Sequence, residues 1–115
     1  RFMFDRQVGV IDFDKHDFEE TGCTFGQADG LVNKALEVEG VRMAVLASER
    51  EDGIKMSLRA VEPDTVNDIA VLFGGGGHAQ AAGCTIHAPL QEALDQMLAA
   101  MKDKLDKTPR PEKRA

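Results

Sequence analysis

Apolar and polar residues along this chain form four short stretches with the pattern of β-strands. Residues 8–14 are β-branched and aromatic and end in polar residues, which favours a strand. Residues 41–48 contain an unbroken apolar run, typical of a strand that is covered on both faces and therefore central in its sheet. After the turn signal Asp52-Gly53, residues 54–60 alternate between apolar and polar side chains, and residues 83–88 predict a further strand.

Three other stretches repeat their apolar side chains every three or four residues, the period of a helix with one buried face. This spacing predicts helices over residues 27–38, 66–73 and from Pro89 to about residue 105. Pro63-Asp64-Thr65 is a start signal for the second helix, and Gly74 ends it. Hairpin neighbours are antiparallel, whereas helical crossovers permit parallel strands. The sequence therefore predicts an α/β fold, a mixed β-sheet with helices packed on its faces.

Length limits the chain to one domain. A chain of 115 residues leaves little room for a second hydrophobic core. Residues 1–107 are predicted to form the domain, and residues 108–115, with two prolines and mixed charge, to be a disordered tail. Arg1 opens the chain without a signal-peptide pattern, which we interpret as a piece of a longer protein. No apolar run approaches the roughly 18 residues of a membrane span, so no membrane partner is predicted.

Charge is unevenly distributed and restricts the class of ligand. The formal net charge is −6, yet residues 1–101 hold 8 Lys and Arg against 17 Asp and Glu, and residues 102–115 hold 6 against 3. An acidic body argues against a broad duplex-binding surface, because such a surface needs clustered positive charge to neutralise phosphates. A small anionic ligand in a local pocket remains compatible with this balance.

Cysteine, histidine and aspartate positions give little sign of a redox or metal centre. Cys23 and Cys84 are the only cysteines and form no CxxC spacing, so we interpret them as reduced core thiols of a cytoplasmic protein. Asp12, Asp14 and His16 would share one face of a continuing strand and could bind a divalent cation. A strand that simply runs out into a polar loop gives the same residues, so no metal site is predicted.

The most informative segment is a run of four glycines, Gly74 to Gly77, followed by His78. Each glycine loses much backbone entropy on folding, and an ordinary loop needs only one or two, so something should approach this backbone closely. Successive N–H groups can curve around an anion, and a short helical turn starting near His78 would add its dipole. A flexible linker beside a chance histidine is the alternative. The segment is neither a Walker motif nor a dinucleotide fingerprint.

Arg59 is the second candidate for contact with an anion. The alternation of its strand predicts that Ser57 and Arg59 share the face opposite the core side. A guanidinium can hold a phosphate through two parallel hydrogen bonds. The alternative is a solvated arginine on an exposed strand face.

These motifs occur together in an order that resembles a known domain. Ser57-Leu58-Arg59 is followed by residues 66–70, then by Phe73 to His78 and residues 81–85. In this order the chain resembles, from about residue 8 to residue 88, the C-terminal DHH-associated domain of the DHH phosphoesterases. Within that superfamily it is most similar to the nano-RNase branch, the bifunctional oligoribonucleases and 3′-phosphoadenosine 5′-phosphate phosphatases.

The resemblance implies a division of labour between two domains. An N-terminal domain with an Asp-His-His motif would hold two Mn²⁺ ions, and this C-terminal domain would close over the cleft and bind substrate. No Asp-His-His sequence occurs in this chain, so no catalytic residue and no cofactor is expected here, and the isolated domain is predicted to be inactive. By position, the expected substrate-binding residues are Arg59, Gly74, Gly75, Gly76, Gly77 and His78.

The resemblance also implies the partners. These are a short oligonucleotide or nucleoside phosphate as substrate and the N-terminal DHH domain of the same chain, with homodimerisation of the parent protein left open. Two alternatives use the same domain differently. The parent could be a cyclic-dinucleotide phosphodiesterase or a RecJ-like exonuclease, or a non-catalytic nucleotide-binding module.

Overall fold

The computed structural model describes residues 1–4, 6–15 and 25–108, with side chains described from residue 30 onward in the last range. His16, Cys23 and the predicted tail beyond residue 108 therefore lie outside the described residues. The strands are β1 (Phe2–Met3), β2 (Val8–Phe13), β3 (Met43–Arg50), β4 (Gly53–Ala60), β5 (Gly76–His78) and β6 (Ala81–Ile86). The helices are α1 (Phe25–Ala35), α2 (Asn67–Leu72) and α3 (Leu90–Lys107).

The strands form one mixed sheet in the order β1-β2-β3-β4-β6-β5. Strands β2 and β3 are parallel, and α1 connects them. The other neighbours are antiparallel. The short Asp-Gly turn explains why β3 and β4 are antiparallel, since two adjacent strands joined by a tight turn must reverse direction. The predicted α/β fold with a mixed sheet is confirmed.

One face of the sheet carries the main hydrophobic core beneath α2 and α3. Alternate residues of β4, such as Met56 and Leu58, are fully buried against helix residues that include Leu94 and Met97. The apolar positions of α3 recur on one side of the helix, as its sequence predicts. Among the described residues, no helix is both long enough and apolar enough to cross a bilayer.

The opposite face carries a smaller core beneath α1. Val32 of α1 packs against Ala44 and Leu46 of β3. The register places Arg59 opposite Ala44 and Ser57 opposite Leu46, so both β4 residues lie on the α1 side of the sheet. The prediction that they share the face opposite the main core is confirmed.

A buried ion pair and two further hydrogen bonds of its arginine join four separate parts of the chain. The guanidinium of Arg42 donates from Nε to Asp64 Oδ2 over 2.9 Å and from Nη2 to Asp64 Oδ1 over 2.7 Å. The two side chains are only 4% and 6% exposed. Arg42 also donates to Gln7 Oε1 and to the carbonyl oxygen of Thr108. The residue before β2, the start of β3, the loop before α2 and the end of α3 are thereby held together.

The structure corrects several predicted boundaries. Helix α1 spans residues 25–35 instead of 27–38, and β6 begins at Ala81 instead of residue 83. The start signal Pro63-Asp64-Thr65 does precede α2, but it supplies no side-chain cap: Asp64 binds Arg42, and the N-cap of α2 is Val66. The predicted helical turn near His78 is wrong, because Gly76–His78 forms strand β5. This strand pairs with β6, and a tight turn at Ala79 and Gln80 connects the two.

Candidate functional site

One row of cross-strand neighbours brings the predicted arginine and histidine onto the same face. The register places Arg59 of β4 opposite Ala81 of β6, and Ala81 opposite His78 of β5. Directly opposite residues of antiparallel strands point their side chains to the same side of the sheet. The Cα atoms of Arg59 and His78 are therefore about 10 Å apart, two strand spacings. Within this row of the sheet, the residue between them is Ala81, whose side chain is a methyl group.

Two further rows complete this part of the sheet. The first contains Ser57, Gly83 and Gly76, and the second contains Lys55 and Thr85. We call the positions of the three rows on this side the open face: Lys55, Ser57, Arg59, Gly76, His78, Ala81, Gly83 and Thr85. Helix α1 packs mainly against β2 and β3 on this side and reaches the edge of β4.

Exposure varies across the open face. Gly76, His78, Lys55 and Thr85 are exposed, whereas Ser57 is only 9% exposed. The middle row carries no side chain larger than that of serine. The middle row, Ser57, Gly83 and Gly76, is therefore a shallow surface, which we call the floor of the open face. Larger polar side chains lie in the rows on either side of it.

Two of the four glycines are required because β6 lies against them. A Cβ atom on Gly75 would come within 2.1 Å of the carbonyl oxygen of Gly83, and one on Gly77 would come within 2.6 Å of the Cα of Ala82. Gly77 also has a φ of +145°, a conformation that residues with side chains rarely adopt. The close approach that the sequence argument expected at these positions is therefore made by the neighbouring strand.

Gly74 is explained by a different feature of the fold, because it ends helix α2. Its φ is +82°, and its N–H donates to Val71 O over 3.0 Å while the N–H of Gly75 donates to Ala70 O over 2.9 Å. This pair of bonds is a Schellman cap, in which glycine commonly takes the left-handed position. The cap turns the chain from α2 into β5.

Gly76 is the glycine of this run that the fold does not explain. Its φ is not in the left-handed region, and a Cβ atom there would meet no other atom within 4 Å. It lies in the middle row of the open face, next to Gly83. A side chain at Gly76 would therefore fill space over the floor without disturbing the packing of the domain.

Three hydrogen bonds anchor the turn that carries His78. Val66 N–H donates to Ala79 O over 2.7 Å, and Ala60 N–H donates to Gln80 O over 3.1 Å. The side-chain amide of Gln80 donates to the carbonyl oxygen of Asp64 over 2.9 Å. Because Asp64 is itself held by its buried ion pair, the outermost strand is connected to the rigid centre of the domain.

Arg59 is oriented by its own strand. The side chain is half-buried, and Nη1 donates to Leu58 O over 2.9 Å. A guanidinium with a planar fork of donors suits a phosphate, and an imidazole can donate to a second phosphate oxygen. The pair can bind an anion, and the exposed N–H groups and carbonyls of β5 lie beside it at the sheet edge.

The described residues do not fit a metal centre. No group of three or more His, Cys, Asp or Glu side chains that could hold a metal ion occurs among them. Asp12 and Asp14 are half-buried, but the third predicted ligand, His16, is not described, so that constellation stays a prediction.

Cys84 lies on the other side of β6, away from the open face. It is a buried free thiol in the main core, and burial raises its pKa to about 11. The prediction of a reduced core thiol is confirmed for Cys84, whereas Cys23 lies outside the described residues. With a pKa this high the thiol stays protonated at neutral pH and is a poor nucleophile.

Comparison with known proteins identifies the family. The DHHA1 domain family matches residues 7–107. This chain belongs to the DHHA1 domain family. The match covers most of the chain and includes every position of the open face, so the resemblance seen in the sequence is confirmed.

The DHHA1 domain is similar to part of two curated proteins. It is 35% identical over 79 residues to the bifunctional oligoribonuclease and PAP phosphatase NrnA of Thermus thermophilus, covering 68% of this chain and 24% of that protein. It is 31% identical over 88 residues to the NrnA of Bacillus subtilis, covering 76% of this chain and 27% of that protein. The chain thus spans about a quarter of the length of these relatives.

Solved structures show the same fold. An exopolyphosphatase-related protein from Bacteroides fragilis superposes with a TM-score of 0.82 at 27% identity, covering 90% of this chain and 31% of that chain. RecJ from Thermus thermophilus, solved with Mn²⁺, superposes with a TM-score of 0.60 at 19% identity, covering 95% of this chain and 15% of that chain. The second likeness concerns the fold alone.

Sequence reasoning missed part of the open face. Lys55 alternates with the buried residues of β4 in the same way as Ser57 and Arg59, so its position on this face was readable from the sequence. Thr85 and Gly83 were not readable, because their alignment with β4 depends on the register of β6, which a sequence pattern alone does not specify.

Proposed function

We propose that this DHHA1 domain binds the nucleotide and phosphate groups of the substrate in a cytoplasmic, Mn²⁺-dependent DHH phosphoesterase. The substrates would be short oligonucleotides and 3′-phosphoadenosine 5′-phosphate. The observation that carries the proposal is the placement of Arg59 and His78 in one row of one face, beside a glycine that the fold does not require. The NrnA relatives, named for these two activities, support the choice of substrate.

In the proposed complex, one phosphate lies between Arg59 and His78. The guanidinium donates two hydrogen bonds to it, and the imidazole donates a third. Since Arg59 is half-buried, part of its solvation is already removed, which strengthens the attraction to an anion compared with a fully exposed pair. The sugar and base extend over the floor of the middle row, where Gly76 leaves room for close approach to the backbone.

The acidic composition is consistent with this class of ligand. A substrate of a few nucleotides needs one local site, whereas a long duplex needs an extended basic surface. The eight positions of the open face include Lys55, Arg59 and His78 and no Asp or Glu, although residues 1–101 hold 17 acidic residues. The positions of the open face therefore contribute positive charge and no carboxylate, which suits an anion.

Hydrolysis is expected to need the N-terminal DHH domain, which the resemblance predicts in the parent protein. Two Mn²⁺ ions held there would supply a metal-activated water for attack on phosphorus. The part played by this chain is to hold the ligand phosphate and orient the nucleotide toward that domain. On this proposal the 115-residue chain binds substrate and does not hydrolyse it.

Calorimetric titration of the chain with AMP and with 3′-phosphoadenosine 5′-phosphate tests the binding role. Arg59→Ala and His78→Ala should each weaken AMP binding about tenfold or more, since each removes a hydrogen-bonding group from the phosphate. Lys107→Ala, a change of an exposed lysine on α3, is the matched control and should leave binding unchanged. Equal affinity of wild type and both site variants would contradict the proposal.

An activity assay on the parent protein tests the enzymatic role. The parent, supplied with Mn²⁺, should release mononucleotide from a short oligoribonucleotide and phosphate from 3′-phosphoadenosine 5′-phosphate. The parent carrying His78→Ala should be slower, and the 115-residue chain should be inactive. Turnover of a cyclic dinucleotide or of long single strands, with neither of the first two substrates cleaved, would favour the cyclic-dinucleotide or RecJ-like alternative. Binding without any turnover by a metal-loaded parent would favour a non-catalytic module.

A further inference from the structure

Gln80 lies in the turn between β5 and β6 and is bonded to two other parts of the chain. Its carbonyl oxygen accepts a hydrogen bond from Ala60 N–H over 3.1 Å, and its side-chain amide donates to Asp64 O over 2.9 Å. Ala60 is the residue after Arg59, so the turn is bonded to the strand end that carries the guanidinium. We propose that Gln80 is a positioning residue that holds His78 in place beside Arg59. This inference rests on the proposed function and deepens it, by naming what orients one of its two phosphate-binding groups.

Strand β5 has few means of its own to fix the position of His78. It is three residues long, all three are exposed, and it lies at the end of the strand order, paired with β6. Two of its residues are glycines, which contribute no side-chain packing and lose more backbone entropy on ordering than other residues. The position of β5 should therefore depend on the hydrogen bonds made by its turn.

The loop to which Gln80 is bonded is itself firmly held. Asp64 is 7% exposed, and its carboxylate accepts two hydrogen bonds from the guanidinium of Arg42. From α3, Lys104 Nζ donates to Thr65 O over 2.5 Å and to Thr65 Oγ1 over 2.6 Å. The loop before α2 is thus bonded to the start of β3 and to α3. A hydrogen bond from the Gln80 amide to this loop fixes the turn relative to the core of the domain.

Arg59 is oriented by contacts that do not include the Gln80 side chain. Its strand β4 is paired on both sides, with β3 and with β6. Its Nη1 donates to the carbonyl oxygen of Leu58, in the same strand. Loss of the Gln80 amide should therefore displace His78 and leave the guanidinium where it is.

Calorimetric titration with AMP measures the effect of removing the Gln80 amide. Gln80→Met keeps about the same side-chain length and cannot donate to Asp64 O. It should weaken AMP binding about two- to tenfold, the range expected for the loss of one hydrogen bond, and Gln80→Ala should act in the same direction. Gln91→Met is the matched control. Gln91 on α3 donates its side-chain amide to Asp95 Oδ1, also over 2.9 Å, and its replacement should leave AMP affinity unchanged.

A double-mutant cycle distinguishes positioning from a general structural defect. In His78→Ala the imidazole that Gln80 positions is gone, so adding Gln80→Met should cause little further loss of AMP affinity. In Arg59→Ala the imidazole is still present, so Gln80→Met should weaken binding there. A defect spread over the domain would lower the affinity in both backgrounds.

Hydrogen exchange of the free chain is a second measurement, and it needs no ligand. Val66 N–H donates to Ala79 O and Ala60 N–H donates to Gln80 O, so both amides report on the turn. They should exchange faster with solvent in Gln80→Met than in the wild type, because local opening of the turn breaks both bonds. The amides of α3 should keep their wild-type rates. Equal rates at Val66 and Ala60 in the two proteins would show that the Gln80 amide does not hold the turn.

The outcomes separate this inference from the proposed function. If Arg59→Ala and His78→Ala weaken AMP binding and Gln80→Met weakens it only where His78 is present, both are supported. If the first two variants weaken binding but Gln80→Met binds like the wild type, or loses the same affinity without His78, the positioning role is wrong and the proposed function stands. If the folded wild-type chain does not bind AMP, both are overturned.

Discussion

Strand β4 contributes to two faces of the sheet with opposite properties. On the side beneath α2 and α3, its residues Met56 and Leu58 are fully buried in the main core. On the other side, Lys55 is exposed and Arg59 is half-buried, and the adjoining rows of β5 and β6 carry glycine and alanine. On the proposed function, alternate residues of the same strands serve stability and ligand binding, so substitutions on the two faces should affect the two properties separately.

The largest expected effect is on the side of the sheet that carries the main core. Leu94→Ala should lower the free energy of unfolding by about 2–5 kcal/mol, because Leu94 is fully buried and its loss leaves a cavity beneath the sheet. Urea denaturation measures the change. At a temperature where the variant is still folded, its affinity for AMP should equal that of the wild type. A large loss of affinity in the folded variant would show that the two sides are not separable.

Gly75 and Gly76 allow the same comparison of stability with ligand binding at two adjacent residues. Gly75→Ala places a methyl group against the backbone of β6 and should lower the free energy of unfolding by about 1–3 kcal/mol. Gly76→Ala should change stability by less than about 0.5 kcal/mol, since its Cβ meets open space.

Ligand binding should be weakened in Gly76→Ala, the variant whose stability is expected to stay the same. Gly76→Ala should weaken AMP binding while the domain remains as stable as the wild type, because the methyl group occupies the floor of the open face. Thermal unfolding and calorimetric titration of the two proteins are the measurements. Unchanged AMP affinity in Gly76→Ala would remove this glycine from the proposed site.

An effect that is absent at neutral pH and appears only at alkaline pH concerns Cys84 and Thr85, neighbours in sequence that face opposite sides of the sheet. Burial raises the pKa of the folded Cys84 thiol from 9.0 to about 11. Between those values the unfolded thiol loses its proton while the folded thiol keeps it, so the free energy of unfolding falls as the pH rises. Below pH 9 this contribution is fully present and independent of pH.

Comparison with Cys84→Ala isolates the effect of this thiol from that of other groups that titrate at alkaline pH. The stability difference between wild type and Cys84→Ala should be constant from pH 7 to 8 and should shift against the wild type between about pH 9 and 10.5. Thr85→Val keeps the Cys84 thiol and removes no titratable group, so it should show the pH dependence of the wild type. A constant difference across the whole range would place Cys84 in a more solvated environment than the structure shows.

The parts of the fold that the sequence predicted are those with strong local patterns. The apolar run of β3, the alternation of β4 and the helical stripe of α3 each depend on residues close together in the chain. Strand β5 was missed because glycine is disfavoured in strands and the run is typical of a loop. Its strand conformation comes from pairing with β6, and that pairing was not readable from the glycines themselves.

Sequence patterns did not predict contacts between residues that are far apart in the chain either. Pro63-Asp64-Thr65 has the composition of a helix start, yet Asp64 forms a buried ion pair with Arg42, which lies far from it in the sequence. Arg59 and His78 were both selected as candidates from their own motifs. That they share one row depends on the register of three strands, which only the structure gives.

The central claim is that the open face, and not the glycine run as a whole, binds the phosphate. Titration of isotopically labelled chain with AMP, followed by chemical-shift changes of every backbone amide and of the His78 ring, tests it most directly. The account predicts that the largest changes cluster at Ser57, Arg59, Gly76, His78 and Gly83, with little change in α3. Changes centred on α3 and β1, or confined to Gly74 and Gly75, would contradict it.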